Sequence, residues 1–266
     1  MEVRPVSINH SGWDSTLELD AEKTSWVIRL GLRTIKGLSY DAVQDSLIER
    51  ECHGPFSGLD DFLYRCGLNL TMRKALAHAG ALDELTTHRR EAILSAFETA
   101  MPLFPKGIKK KKTAKLLPPR EDEILQLDFT HVGISLNDHP MRHLRPYALD
   151  VVKAWSGRCT LLSLDAVHKE RSSRRVVCAG MVTLRQKPHS ANGTCFLTLE
   201  DETEMLNVIV WPRQYEEWKY IIVSNPYLIV VGRLEREGSV AHVIAEEIHP
   251  LSRGAPFASD QSRNFR

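Results

Sequence analysis

The sequence predicts an α+β, multidomain chain: a helical domain over residues 26–104, followed by a five-stranded β-barrel over residues 174–250. Three observations carry the prediction. Between 26 and 105 apolar residues recur in steps of three and four (Leu32, Ile35 and Leu38; Val43 and Leu47; Leu59, Phe62 and Leu63), the repeat that lines one face of a helix. From Arg175 the repeat shortens to two, and both alternating sets are apolar (Val176, Cys178 and Val182 against Val177, Ala179 and Met181), as in the wall of a closed barrel. Between the two lies a stretch, residues 105–120, that contains Lys106, Lys109, Lys110, Lys111, Lys112, Lys115 and Arg120 and ends before the first carboxylate at Glu121. Lysine runs flanked by proline stay solvated, so this is read as a basic linker, with attraction to a phosphate backbone as its functional alternative.

The elements follow in order. Residues 3–8 read as a strand with no earlier segment to pair with, so residues 1–25 are expected to be the remnant of a domain whose upstream part is missing. Gly54-Pro55 and Gly67 divide the helical region into short helices. One helix is expected from Thr71, a plausible N-cap, to Ala79, stopping at Gly80; another spans 89–100 and stops before Pro102. Residues 121–173 form a helical connector that includes the polar run DHPMRHLRP from Asp138, in which His139 is expected to brace the helical domain against the barrel. In the barrel, further strands are expected at 195–200, 206–211, 227–236 and 240–248, with a helix at 213–221. Residues 196–212 are a hairpin: two runs of β-branched and aromatic residues around an acidic turn. Five strands with a helix after the third make the plan of an OB-type barrel, which often carries single-stranded nucleic acid across one face. Residues 251–266 form a tail.

Composition bounds the function. At 266 residues and 42% hydrophobic content the chain can bury two modest cores, and a net charge of +1, from 35 basic and 34 acidic residues, leaves no global field to drive binding to nucleic acid or membrane. Any such binding must be local. The five cysteines (52, 66, 159, 178 and 195) show no C-x-x-C pairing and no His at zinc-ligand spacing, which reads as reduced thiols. Neither a signal segment nor a membrane span is apparent, so the expectation is a cytoplasmic protein without a membrane partner. No phosphate loop, nucleophile elbow or zinc-protease motif occurs. Glu200, Asp201, Glu202 and Glu204 sit in a hairpin turn expected to spread them outward, away from a shared ion. No catalytic residue, metal ligand or cofactor is therefore assigned.

Candidate binding residues fall in two places. The segment LRTIKGLSYDAV, from Leu32, resembles a helix-hairpin-helix element, in which glycine lets backbone N–H groups reach a DNA phosphate and the next helix adds its positive N-terminal end. Lys36, Gly37 and Ser39 are its candidates; Ser39 stands where a second glycine is usual, and packing rather than grip is the competing reading. In the barrel, residues 185–193 (RQKPHSANG) are expected to form a cationic loop. Arg185, Lys187, Trp211 and Arg213 are the candidates there, with Phe196, Tyr215 and Trp218 as further aromatics. Against this, Trp211 and Trp218 lie where such a barrel needs a plug. The peptide Gln126-Leu-Asp-Phe129 loosely matches a sliding-clamp docking motif, and core packing is the simpler reading.

With these residues in view, the chain resembles the C-terminal part of a bacterial C-family DNA polymerase, the alpha-subunit type of DNA polymerase III, and most of all its error-prone, ImuC-type branch. EVRPVSINHSGWD from Glu2 resembles the end of the fingers, residues 31–38 the hairpin domain, DHPMRHLRP the junction, and LRQKP, FLTLEDET and VIVWP the OB fold. The resemblance implies a DNA-binding region, touching primer–template and single-stranded template, of a nucleotidyltransferase active in replication, repair and damage-induced translesion synthesis. It also implies that the palm aspartates and their Mg2+ lie in parts not included here, so the chain would not add nucleotides alone. A Y-family-like mutasome partner, or the sliding clamp, would be protein partners. A chain ending soon after the barrel is what the error-prone branch implies. A docking module without DNA affinity is the alternative.

Overall fold

The structure, a computed structural model, describes residues 2–20, 24–97, 116–155, 160–238 and 240–251. Two compact units divide at Asn137 and Asp138, inside the expected connector. Each has its own core.

The first unit opens with a three-stranded sheet of β1 (Val3–Arg4), β2 (Thr16–Leu19) and β3 (Trp26–Arg29), in the order β1-β3-β2. This corrects two expectations. The first strand does have a partner, downstream: Val3 and Arg4 run parallel to Ile28 and Arg29. And residues 26–29, counted with the helices, are a strand, because Trp-Val-Ile-Arg alternates and β-branched side chains favour the pleat. Four residues are too few to show against a neighbouring helical repeat.

After a 3-10 turn at Leu32–Thr34 come α1 (Tyr40–His53), α2 (Leu59–Arg65), α3 (Leu70–His78), α4 (Arg89–Phe97) and α5 (Glu121–His131). The cap of α3 lies two residues before the expected one, because Asn69 accepts a 3.0 Å bond from the Met72 N–H and so satisfies one orphan donor of the first turn. Val6, Ile8, Leu32, Ile35, Phe62, Leu76 and Leu82 fill the core. The α5 helix is fastened by Asp128, which is buried and pairs with Arg89, itself bonded to Asp83 at 3.0 Å. Gln126 to Phe129 are thus the middle of this packed helix. The lysines from 106 to 115 lie outside the described residues.

The second unit contains α6 (Pro140–Lys153), β4 (Leu161–Leu162), α7 (Leu164–Lys169), β5 (Arg175–Gln186), β6 (Cys195–Glu200), β7 (Met205–Val210), α8 (Pro212–Ser224), β8 (Tyr227–Glu237) and β9 (Val240–Pro250). The strand order β5-β6-β7-β9-β8 closes through a β5–β8 pairing, and β9 runs parallel to β7. This is the five-stranded OB-type barrel, with β4 added to one edge of β5. Both alternating sets of β5 are buried because one faces the barrel interior and the other is covered outside; Val176, Cys178 and Val182 face inward. A bulge between Val231 and Gly232 turns β8 sharply, and a Cβ at Gly232 would lie 2.2 Å from the Ile244 carbonyl oxygen, so only glycine fits that corner. One mouth is stopped by α8, whose Tyr215 and Ile222 are buried and whose Trp218 packs on the core. Trp218 therefore has the plugging role considered for both tryptophans. Among the described residues no helix is long and apolar enough to cross a membrane.

The acidic turn departs from expectation. Asp201 points inward and is only 4% exposed. It accepts from the Leu164 N–H at 2.9 Å, from the Thr203 N–H and hydroxyl, and from the Glu204 N–H, while Arg145 of α6 donates to it at 2.7 Å and also grips Glu202. Burial alone would raise its pKa; the Thr203 hydroxyl and three backbone N–H groups outweigh that and hold the carboxyl below its ordinary value. Asp201 is a buried hub joining α6, α7 and the β6–β7 turn. His139 belongs to this same unit, its Nδ1 accepting from the Met141 N–H at the start of α6.

Candidate nucleic-acid interface

The outer face of β6 and β7 is set by the pleat. Cys195, Leu197 and Leu199 of β6 and Leu206, Val208 and Val210 of β7 point into the core, which leaves Phe196, Thr198 and Glu200 opposite Ile209, Asn207 and Met205 on the outside. His242 and Ile244 of β9 continue the same face beside Asn207 and Ile209. At one end of this strip Phe196, Ile209, Trp211 and Pro212 line a hollow of about 410 Å³ with Asn192 and Thr194. Trp211 is 46% exposed, because it occupies the N-cap position of α8 with extended backbone and its ring stays outside the barrel. A flat apolar ring beside polar groups is the arrangement that stacks a base.

The loop between β5 and β6 flanks the hollow, and its cations differ from expectation. Arg185 is not in the loop. It lies in β5, is 8% exposed, and donates to the carbonyl oxygens of Ile222 at 2.8 Å and Asn225 at 2.7 Å, the unpaired C-terminal end of α8. Its expected place in the loop is therefore corrected: the guanidinium caps a helix end, and burial lowers its pKa. An arginine at the end of a strand reads like a loop cation until the helix it caps is placed. Lys187 is in the loop and exposed, with Nζ 3.2 Å from Glu216 and 4.1 Å from the centre of the Tyr215 ring. Arg213 is exposed on the first turn of α8, beside a second hollow of about 400 Å³ that Glu217, Glu246 and Glu247 also line. Lys187, Trp211 and Arg213 are thus exposed, with half-buried Phe196 and Ile209 beside Trp211.

In the first unit, Gly37 and Ser39 are exposed in the turn before α1. Gly37 has φ +81° with nothing within 4 Å of an added Cβ, so the left-handed backbone and the open approach are both present. Ser39 holds the N-cap position with extended backbone but makes no capping bond through its side chain, which leaves α1 N–H groups uncapped by it. The departures concern the preceding helix and Lys36. Before the turn there is only the 3-10 turn, and Lys36 is part-buried, its Nζ bonded to the Phe129 carbonyl oxygen at 3.1 Å and its N–H to His131 at 2.8 Å. Burial lowers its pKa. Lys36 ties α5 to the turn. Among the described residues no three His, Cys, Asp or Glu side chains converge as metal ligands.

Two families match these units. Residues 1–92 match a helix-hairpin-helix motif family and residues 176–251 an OB-fold nucleic acid binding domain. The error-prone DNA polymerase of Allorhizobium ampelinum is 33% identical over 279 residues, covering all of this chain and 25% of its own, and that of Xanthomonas campestris pv. campestris is 36% identical over 261 residues, covering 95% and 23%. The chain is a homologue of the error-prone DNA polymerases. It corresponds to their C-terminal portion and spans about a quarter of their length. Of solved structures, asparaginyl-tRNA synthetase from Pyrococcus horikoshii overlaps 33% of this chain and 22% of its own at 20% identity, with a TM-score of 0.29. That overlap decides nothing about function.

Proposed function

We propose that this chain is the DNA-binding portion of an error-prone DNA polymerase used in translesion synthesis, with the barrel touching single-stranded template and the Gly37 turn touching duplex phosphates. The observation that carries the proposal is the strip formed by exposed Trp211 with half-buried Phe196 and Ile209 at the outer β6–β7 face. Bases stack on such a strip without regard to sequence, which suits a protein that must accept any template. Gly37 and the uncapped start of α1 supply backbone N–H groups and the positive end of a helix, which suit a phosphate. On this reading nucleotide addition, with the Mg2+ it needs, would belong to the rest of such a polymerase.

Fluorescence anisotropy with labelled single-stranded, primer–template and duplex DNA at several salt concentrations tests the proposal. Trp211→Ala is expected to lose about 1–3 kcal/mol of single-strand affinity with little change in salt slope. Equal affinity of wild type and variant would remove the barrel face from the proposal. A second reading, a module that docks a mutasome protein, is favoured by one observation: the barrel's cations are largely paired, Arg175 with Glu246 and Glu247 and Lys187 with Glu216. It predicts no DNA binding even at low salt.

A further inference from the structure

The three-stranded sheet of the first unit turns apolar side chains to both faces. Its inward face holds the fully buried Val27 with Arg29, 8% exposed and paired with Glu18 at 3.2 Å, and Arg4 also reaches Glu18. The outward face is apolar: Leu17 pairs across to Ile28, Ile28 to Val3, and Leu19 to Trp26. Leu17 is 61% and Trp26 58% exposed. A sheet with one wet face normally keeps that face polar, and a contiguous apolar patch on a sheet marks a surface that something covers. The homologous polymerases say what polypeptide is available. In them the matched portion is C-terminal and is about a quarter of the length, so the residues equivalent to this sheet follow directly on the remaining polypeptide.

We infer that the apolar face of β1, β3 and β2 is a docking surface for the polypeptide that precedes this portion in the error-prone polymerases. The surface is independent of DNA. Trp26 is its anchor, since a large ring surrounded by leucines is the kind of residue on which contact energy concentrates. The match to the occupant is apolar, because the sheet's charges are turned away and already paired.

The test places this chain in the Allorhizobium ampelinum polymerase in exchange for the matched portion and compares hydroxyl-radical footprints of the free chain and the chimaera. Reactivity of Trp26, Leu17 and Leu19 is expected to fall in the chimaera towards that of the buried Phe62, while Tyr64, 80% exposed in the same unit, stays reactive in both. Trp26 as reactive in the chimaera as in the free chain overturns the inference. So does protection in the free chain that grows with its concentration, since a second copy would then be the occupant. As a second measurement, the preceding portion of the same polymerase is supplied as a separate chain. The Trp26→Ala, Leu17→Thr double variant should bind it about tenfold or more weakly than wild type, with Tyr64→Ala unaffected. Equal binding by the double variant counts against the inference.

Discussion

Replacing Arg185 with Met separates a buried cap from a DNA contact. The methionine keeps most of the apolar stem but removes both bonds to the end of α8, so the carbonyls of Ile222 and Asn225 lose a charged donor. A buried acceptor left without a partner costs about 1–3 kcal/mol, and there are two; the charge is no longer desolvated, which offsets part of the loss. The net expectation is destabilisation of the barrel by about 2–4 kcal/mol. Hydrogen exchange by mass spectrometry reads it locally: barrel amides that open globally should exchange about 30- to 1000-fold faster, with amides of α1 to α3 unchanged as the internal reference. Single-strand affinity per folded molecule should keep its salt slope. Unchanged barrel exchange together with a shallower salt slope would refute the reasoning and return Arg185 to the DNA.

Three further outcomes are expected. Asp201→Ala leaves the Leu164, Thr203 and Glu204 N–H groups without their acceptor and Arg145 with Glu202 alone, and should cost the barrel about 2–4 kcal/mol in urea unfolding; a loss within experimental error would mean that the network is not a hub. His131 and His78 stack at 4.6 Å, and burial, with Lys36, Lys74 and Arg89 around them, lowers both pKa values below the ordinary 6.5. The unfolded chain therefore takes up protons first, so the stability of the first unit is complete above that value and lost as pH falls through the lowered folded values; His131→Gln should flatten the loss, and a midpoint that rises on acidification would contradict the sign. Gly37→Ala meets no neighbour yet must hold φ +81°, at about 1–2 kcal/mol, and its Cβ should weaken primer–template binding while leaving single-strand binding intact.

The barrel was legible almost to the residue because its signal is local. The two-residue repeat of β5, the hairpin around the acidic turn and Trp-Pro ahead of α8 are each visible within a few positions. What stayed hidden depends on partners far along the chain. The strand at Trp26–Arg29 is four residues long and is defined by Val3 and Arg4 more than twenty positions earlier. Asp201 looked like a solvent-facing turn carboxylate because nothing near it in sequence discloses Arg145 or the Leu164 N–H. Arg185 and Lys36, both expected at the DNA, are engaged by carbonyls 37 and 93 residues away. A lone cation in a sequence gives its charge but not whether a helix end has already claimed it. Among the cations, Lys187 and Arg213 stayed at the surface, where their loop and first-turn positions put them.

Pairing also decides what kind of nucleic-acid contact the barrel can make. For every counterion released by a phosphate, Lys187 must first give up Glu216, and Arg175 must give up Glu246 and Glu247. An exposed pair is worth little, about 0–1 kcal/mol, but it cancels most of the gain that a lone cation would bring. Arg213 is exposed and close to Trp211 in the chain, so with about one phosphate neutralised the single-strand salt slope should be about −0.7. Affinity then rests on stacking against Phe196 and Trp211, modest and little affected by salt. A modest contact of this kind serves when the strand is held elsewhere on the same polypeptide, because tethering raises the effective concentration into the millimolar range. On the proposed reading the barrel steadies template already gripped by the rest of a polymerase, and its near-neutral surface limits the affinity that it adds by itself.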